Sequence, residues 1–405
     1  MATLPYDIIM REILPKLPAE SLLLFKSVSK SFKTVISSLE FINLHLQHGL
    51  SNTSNRFLIH VHKHGAGDFI CVNMDSIKSP LYSTFDSIHL YYCYLGRTPV
   101  ITVGSCNGLL CMSNALLPIF MVLNPCTGMS LNIPYPIRYT FFMRIGSFYS
   151  GFGFDSIDND YKIVLVLDYH YAQEEGGFMI NRDVLVYSLK NNASKSWRLV
   201  HSISSPKESM IMIDHRTQHH YRKGVLINNH LLHWNFNHSP NEYRIACFDL
   251  ESENWVKDVP LPEYYRETMK KKRIKDYLHS LREKGIQNVF SVFLQKENSI
   301  NCYDLWVMKE YGVKESWVKL FQILDPYVSD MDWKLYFLGY HGSGKNDILV
   351  MRVNNICDTT HLLSYNVQDK SLTILDQSDE VRYLLDVFSY PGSLVELPGG
   401  QRIGN

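Results

Sequence analysis

Four tracts of the chain repeat one plan. "VLVYSLKNNASKSWRLV" (184–200), "IACFDLESENWVKDV" (245–259), "NCYDLWVMKEYGVKESWVKL" (301–320) and "LLSYNVQDKSLTIL" (362–375) each read as an apolar run, a polar break and a second apolar run. Trp197, Trp255 and Trp317 mark the second run at intervals of roughly 60 residues, and Leu372 stands at that place in the last tract. "FMVLNPCTGMSLNI" (120–133) is a weaker copy. Such a period excludes a single two-layer core and asks for a repeated supersecondary unit.

A further apolar tract precedes each copy: "YKIVLVL" (161–167), "KGVLINNHLLHWN" (223–235), "NVFSVFLQ" (288–295) and the pair "WKLYFLGY" and "DILVMRV" within 333–353. Each unit therefore holds about four short strands, the content of a β-propeller blade, and residues 55–400 supply about six blades. A closed ring needs its last blade finished by a strand from the other end, and "FSYPGSLVEL" (388–397) is expected to be that strand. A pair of long β-sandwiches is the alternative. Within 301–320, Trp306 and Trp317 are expected to pack, leaving the turn "KEYGVKES" to face a partner.

The chain has 405 residues, too many for one ordinary domain without repetition. Aromatics reach 13%, which suits strands. Lys+Arg and Asp+Glu are balanced at 40 each, so no global field draws nucleic acid or an anionic membrane. The longest apolar runs, such as "IVLVL" (163–167), are strand-length and too short to span a bilayer. Eight cysteines form no C-x-x-C pair, which fits reduced, buried thiols in the cytosol.

Before residue 50 the pattern is helical. Tyr6, Ile9, Ile13 and Leu17 recur at spacings of three and four, followed by Leu22 and Phe25, then Phe32, Val35 and Ile36, then Leu39, Ile42 and Leu46. Pro15 and Pro18 end the first helix. Residues 1–48 read as a small helical domain and 49–400 as the β domain. About 45 residues bury little surface, and Leu4, Ile8, Leu14, Leu22, Leu23 and Leu24 exceed what so small a bundle hides. The surplus faces either a partner protein or the rest of the chain.

Residues 263–285, "EYYRETMKKKRIKDYLHSLREKG", carry a helical pattern rich in Lys and Arg. They are expected to be a helical insertion between two blades, solvated or serving nuclear import or an acidic partner.

Motifs for catalysis are weak. "GYHGSGKN" (339–346) nearly spells a phosphate-binding loop, but it ends in Asn346 and its flanks read as strands, so it is expected to be a hairpin turn. Asp155, Asp158 and Asp160 lack calcium-loop spacing and suit turn capping. His60, His62 and His64 share one face of a strand, about 7 Å apart, too far for easy convergence on one metal ion. "DHRTQHH" (214–220) reads as a polar loop. No metal or cofactor is expected.

Residues 4–36, "LPYDIIMREILPKLPAESLLLFKSVSKSFKTVI", resemble an F-box, with Leu4-Pro5 and Leu17-Pro18 as its paired motifs. "GSCNGLLCM" (104–112), "LNPCTG" (123–128), "GFGFDSIDNDYKIV" (151–164), "VYSL" (186–189), "FDLESENW" (248–255) and "DLWVMKEYGVKESWVKL" (304–320) resemble, in order, the plant F-box-associated domain. With the final "GSLVEL", the whole is most similar to the S-locus F-box proteins, the pollen determinants of RNase-based self-incompatibility, and their close relatives. The chain departs at Ser27 and Ser29, where the family usually has Cys, at Phe32 for Trp, and at Leu24 for a basic residue that would otherwise break the apolar face.

The resemblance implies an α+β multidomain protein, a short all-α F-box followed by a kelch-like propeller, and a non-catalytic substrate receptor of a ubiquitin ligase. It implies that Leu4, Pro5, Ile9, Ile13, Leu17, Pro18, Leu22 and Phe25 dock a Skp-type adaptor, through which cullin and RING subunits follow. It implies a protein target, an S-RNase if the narrower likeness holds. Because S-RNases are basic, the acidic loop residues Asp155, Asp158, Asp160, Glu174 and Glu175 are the candidate target contacts. A sister receptor for another target, or a sugar-binding or scaffold propeller capped by the helices, are the alternatives. The expected location is the cytoplasm.

Overall fold

The computed structural model describes residues 6–51, 56–63, 66–73, 86–88, 100–114, 119–134, 136, 144–173, 177–190, 196–206, 220–239, 242–262, 277–283, 286–295, 302–324, 333–341, 347–354, 359–377 and 383–402. Among these, four α-helices precede a series of strands: α1 (Tyr6–Ile8), α2 (Ala19–Phe25), α3 (Lys30–Ile36) and α4 (Leu39–Ser51). A π turn, Ile9–Ile13, and a 3-10 turn, Leu14–Lys16, join α1 to α2, so the first predicted helix is irregular, and Pro15 sits inside the 3-10 turn. Ser29 caps α3 by accepting the Phe32 N–H at 3.1 Å. Helix α4 runs three residues past the predicted boundary at 48. No helix among the described residues is long and apolar enough to cross a membrane.

The strands among the described residues form six sheets, numbered as blades in chain order. Blade 1 joins Arg56–Lys63, Ala66–Asn73 and Asp86–Ile88 to the late strand Tyr383–Ser389. Blade 2 is Val100–Cys106, Leu109–Asn114, Phe120–Asn124 and Met129–Ile133, with Gln401–Arg402 on its outer edge. Blade 3 is Arg144–Asp155, Asp160–Gln173, Gly177–Ser188 and Arg198–Pro206, plus His220–Lys223 in parallel beside its first strand. Blade 4 is Val225–Ile227, Leu231–Ser239, Glu242–Asp249 and Asn254–Val259. Blade 5 is Tyr277–Glu283, Ile286–Gln295, Cys302–Met308 and Trp317–Leu324, and blade 6 is Trp333–His341, Asp347–Asn354, Thr359–Asn366 and Leu372–Gln377. The first strands of blades 2 to 6 and Tyr383–Ser389 touch in succession and return to blade 2, which closes the ring. This is the six-bladed propeller that the repeats predict.

Two expectations are corrected. The closing strand is Tyr383–Ser389, paired Leu58↔Phe388 and Ile59↔Val387, so only the first two residues of 388–397 belong to it. Tyr390 begins a segment without strand structure, because it leaves blade 1 to pack between the helices and blade 2. In the basic insertion, Tyr277–Glu283 is the first strand of blade 5, not a helix; it pairs with Ile286–Gln295 through Glu283↔Ile286. Cross-strand pairing with an apolar neighbour overrides the helical spacing there. Residues 263–276 lie outside the described set.

Both faces of the middle blades are buried. In "IVLVL", Ile163, Leu165 and Leu167 pack with Val103, Phe120 and Phe152 toward blade 2. Val164 and Val166 pack with Leu232, Trp234 and Phe248 toward blade 4. The same alternation joins blades 4 and 5 through Ile245, Val259, Met308 and Trp317. It joins blades 5 and 6 through Leu305, Phe321, Leu363 and Tyr365.

The repeated polar break is one turn design. In blades 2, 4 and 6 Asn124, Asp249 and Asn366 each accept the N–H two residues on, and Asp155 does the same between the first two strands of blade 3, all at 2.8–3.0 Å. Four residues after each, Gly128, Asn159, Glu253 and Lys370 adopt positive φ of 49–67° to enter the next strand. Blade 5 reaches the same end with Gly312 at φ 82°. The repeated Trp works between blades. Trp197 Nε1 donates to the Pro134 carbonyl, and Trp317 Nε1 to the Pro260 carbonyl, both at 2.7 Å. Each indole therefore ties a blade to the end of the preceding one.

Blades 3 and 4 approach each other tightly at Gly153. A Cβ there would lie 2.7 Å from the Asn229 carbonyl oxygen and 2.5 Å from Leu250 Cδ1. The backbone atom cannot rotate away, so Gly153→Ala is expected to lower stability by about 1–3 kcal/mol, read as an earlier denaturation midpoint.

Candidate protein-docking surface

The helical unit has a packed side and an open side. Met10, Leu14, Ala19, Leu22, Ile36, Phe41 and Ile42 form its core, joined by Leu394 from the segment after the closing strand. His45 lies in this core, with Nε2 2.9 Å from the Leu17 carbonyl. Burial, partly offset by that hydrogen bond, holds its pKa below the ordinary imidazole value. The exposed apolar residues of the unit are Ile8, Ile13, Leu24, Phe25, Val28 and Leu39, with Leu24 72% and Val28 64% exposed.

The predicted docking residues divide accordingly. Ile13, Pro18 and Phe25 are exposed, and Ile9 and Leu17 are half-buried against the core. Leu22 is corrected: it is completely buried and belongs to the packing between helices and propeller. Leu24 and Val28 take the exposed place on that stretch. Spacing alone could not orient a seven-residue helix bearing three successive leucines, and Val28 lies in the turn beyond its end. Leu4 and Pro5 lie outside the described residues.

The predicted target-binding acids are also corrected in part. Asp155 is fully buried: Oδ1 accepts the N–H groups of Ile157 and Asp158, and Oδ2 lies 2.5 Å from Lys162 Nζ. Asp160 is buried as well and accepts from the Ser188 hydroxyl and the Lys190 N–H. These carboxylates hold turns and cannot meet a partner. Asp158 remains exposed, 3.6 Å from Lys162, beside the fully presented Ile157. Glu174 and Glu175 lie outside the described residues.

Lys162 is the centre of a buried network between blades 3 and 4. Its Nζ is 2.9 Å from Glu253 Oε1 and donates to the Leu250 carbonyl at 3.1 Å, while Arg198 reaches the same Glu253 oxygen at 2.7 Å. Burial alone would raise the Asp155 and Glu253 carboxyls. The cations and turn amides outweigh it and hold both below their ordinary range. Nearby, His230, Asp249 and Glu251 approach one another closely enough to consider a cation. Asp249 is already occupied by His230 at 2.8 Å and by the turn's own amides, and Glu251 by Ser156.

The turn 309–316 is less open than its composition suggests. The Tyr311 hydroxyl donates to Nε2 of buried His233, whose Nδ1–H donates to the Val225 carbonyl at 3.1 Å. Burial depresses His233 to about 4, which fixes it as the neutral acceptor. Burial pushes the Cys247 thiol up to about 11 and the Cys126 thiol to about 12, and raises Cys106 and Cys111 as well, so these four are poor thiolates. His60 and His62 lie on the strand Arg56–Lys63, while His64 and residues 214–219 are outside the described set.

Comparison with known proteins adds two family matches. A model described as the F-box associated beta propeller domain matches residues 56–381, and one described as the F-box domain matches residues 2–44. F-box protein CPR1 of Arabidopsis thaliana is 27% identical over 387 residues, covering 94% of this chain and 86% of the relative. The F-box/kelch-repeat protein At3g23880 of the same plant is 26% identical, covering 78% of each.

Lys162→Met would leave the buried Asp155 carboxylate without its cation and Glu253 with Arg198 alone, and is expected to cost about 3–5 kcal/mol at neutral pH. Because the folded carboxyls titrate below their unfolded values near 4, this stabilisation is present above that pH and lost as pH falls through the folded values. Denaturation midpoints of the two proteins should therefore converge on acidification below about pH 4.

Proposed function

The chain belongs to the plant F-box family with an F-box-associated β-propeller, and from that premise we propose that it is the substrate-recognition subunit of a Skp–cullin–F-box ubiquitin ligase. The observation that carries this reading is the open apolar side of the helical unit, where Ile13, Leu24, Phe25 and Val28 are exposed on elements whose opposite side is packed. Exposed anchors of this kind fit helix-in-groove association with a Skp-type adaptor, through which cullin and RING subunits would be recruited. The propeller would hold the target. The chain itself would perform no bond chemistry; it would raise the effective concentration of target lysines beside a charged ubiquitin-conjugating enzyme. The reading places it in the cytoplasm.

We further propose a stylar S-RNase as the target, on the strength of the ordered sequence motifs and the terminal "GSLVEL". Binding of a basic RNase would rest on acidic groups at the surface, of which Asp158, exposed although it lies 3.6 Å from Lys162, is one among the described residues. A sister receptor with another protein target keeps the same ligase role. Co-precipitation with non-self S-RNases separates the two: capture that weakens steeply with salt supports the RNase reading. Failure to retain any S-RNase at low salt would discard it while leaving the receptor role standing.

For the adaptor, Leu24→Asp combined with Val28→Asp is expected to weaken capture of a Skp-type adaptor at least tenfold with an unchanged melting temperature, since both side chains are mostly exposed. Undiminished capture by the double variant would overturn the docking assignment.

A further inference from the structure

We infer that the segment Tyr390–Leu397 is a structural part of the helical unit, and that the adaptor-docking face forms only when this C-terminal strap is seated. The inference about docking rests on the receptor reading; the inference about folding does not.

The strap is placed by the propeller. The Asn124 side chain, at the start of the outer turn of blade 2, donates from Nδ2 to the carbonyls of Ser393 at 3.0 Å and Val395 at 2.8 Å. The same side chain's Oδ1 accepts the Cys126 N–H at 2.9 Å, so one Asn builds the turn and grips the strap. The Tyr390 hydroxyl donates to Cys126 Sγ at 3.0 Å, and that thiol faces Glu20 Oε1 at 3.6 Å. Gly108, at φ 76°, lies directly beneath: a Cβ there would collide with Ser393 Cβ. The strap is thus pressed onto two turns of blade 2.

Its other side completes the helices. Leu394 is 1% exposed and sits in the cluster of Met10, Leu14, Ala19, Leu22, Ile36, Phe41 and Ile42. A Cβ on Gly392 would lie 3.5 Å from Ala19 Cβ, and a Cβ on Gly49 of α4 would lie 3.5 Å from Pro391 Cβ, so the strap runs close against both helices. Ala19 and Leu22 are the inward side of α2, the helix whose outward side presents Leu24 and Phe25. A unit of about 45 residues buries too little apolar surface to be comfortable alone. A neighbouring leucine inserted at its centre supplies part of what is missing. Removing it leaves α2 without a floor, although every residue of the helices is retained.

The test uses the full chain with Leu394→Asp, and Leu394→Met as the conservative control. Amide hydrogen exchange is followed in α2 and α3 and, as an internal reference, in residues 163–167 and 184–187 of blade 3. The expected result is at least tenfold faster exchange in the helices with blade 3 unchanged, restored by Leu394→Met, and a parallel loss of Skp-type adaptor capture. Helices that keep their protection in Leu394→Asp overturn the inference. So does simultaneous loss of protection in blade 3, which would make the strap a part of the ring instead. If Leu394→Asp gives the expected exchange pattern but the wild-type chain never captures the adaptor, the receptor reading is refuted and the structural inference stands.

Discussion

Two-sided burial of each blade is the constraint from which the rest of this structure follows. A strand with one dry face alternates apolar and polar residues; a strand packed by a neighbour on each side has no polar face to show. Residues 163–167 are continuous apolar residues for that reason, with odd positions meeting blade 2 and even positions meeting blade 4. A blade removed from the ring would expose both faces. Every repeat is therefore stable only beside its neighbours, and the last must find the first. The late strand Tyr383–Ser389 meets that requirement by becoming the innermost strand of blade 1.

Burial of both faces also decides what polar groups can do. Those that penetrate a blade interface must be satisfied there, and they become fasteners. Lys162 is held by Asp155 and Glu253 from opposite blades, and the indoles of Trp197 and Trp317 reach the carbonyl that ends the preceding blade. Tyr311 folds over blade 4 and donates to His233, which burial keeps neutral. By residue type these groups suggest binding sites, and the ring uses them up. Of the acids in "DSIDND", the two that start and end the turn are structural, and Asp158 at its middle stays exposed.

Much of this was legible in the sequence. The period, the strand count per unit and the turn residues are local properties, written wherever a blade is built, and they give the six-bladed ring. The helical unit was legible as a small bundle with more leucine than it could hide. What escaped was decided by contacts far apart in sequence. Leu22 and Leu24 are equivalent by composition, and packing with Met10, Leu14, Ile36, Phe41, Ile42 and the distant Leu394 makes one a core residue and leaves the other outside. The helical spacing of 277–283 yields to pairing with a strand that begins at Ile286. Residues 388–397 look like one strand, yet they play two roles divided at Tyr390.

That division joins the two halves of the proposed activity. The strand that closes the propeller and the strap that floors α2 are consecutive, so ring closure and the seating of the helices share one short stretch of chain. A receptor that acts by proximity gains from such a joint. Effective concentration depends on how narrowly the distance and direction between two bound partners are distributed. A flexible connection between helices and propeller would spread a target's lysines over a large volume. Asn124, Tyr390 and Leu394 replace it with buried contacts, and the orientation of whatever the propeller holds is then set by the same packing that presents Leu24, Phe25 and Val28 on the open side of the helices.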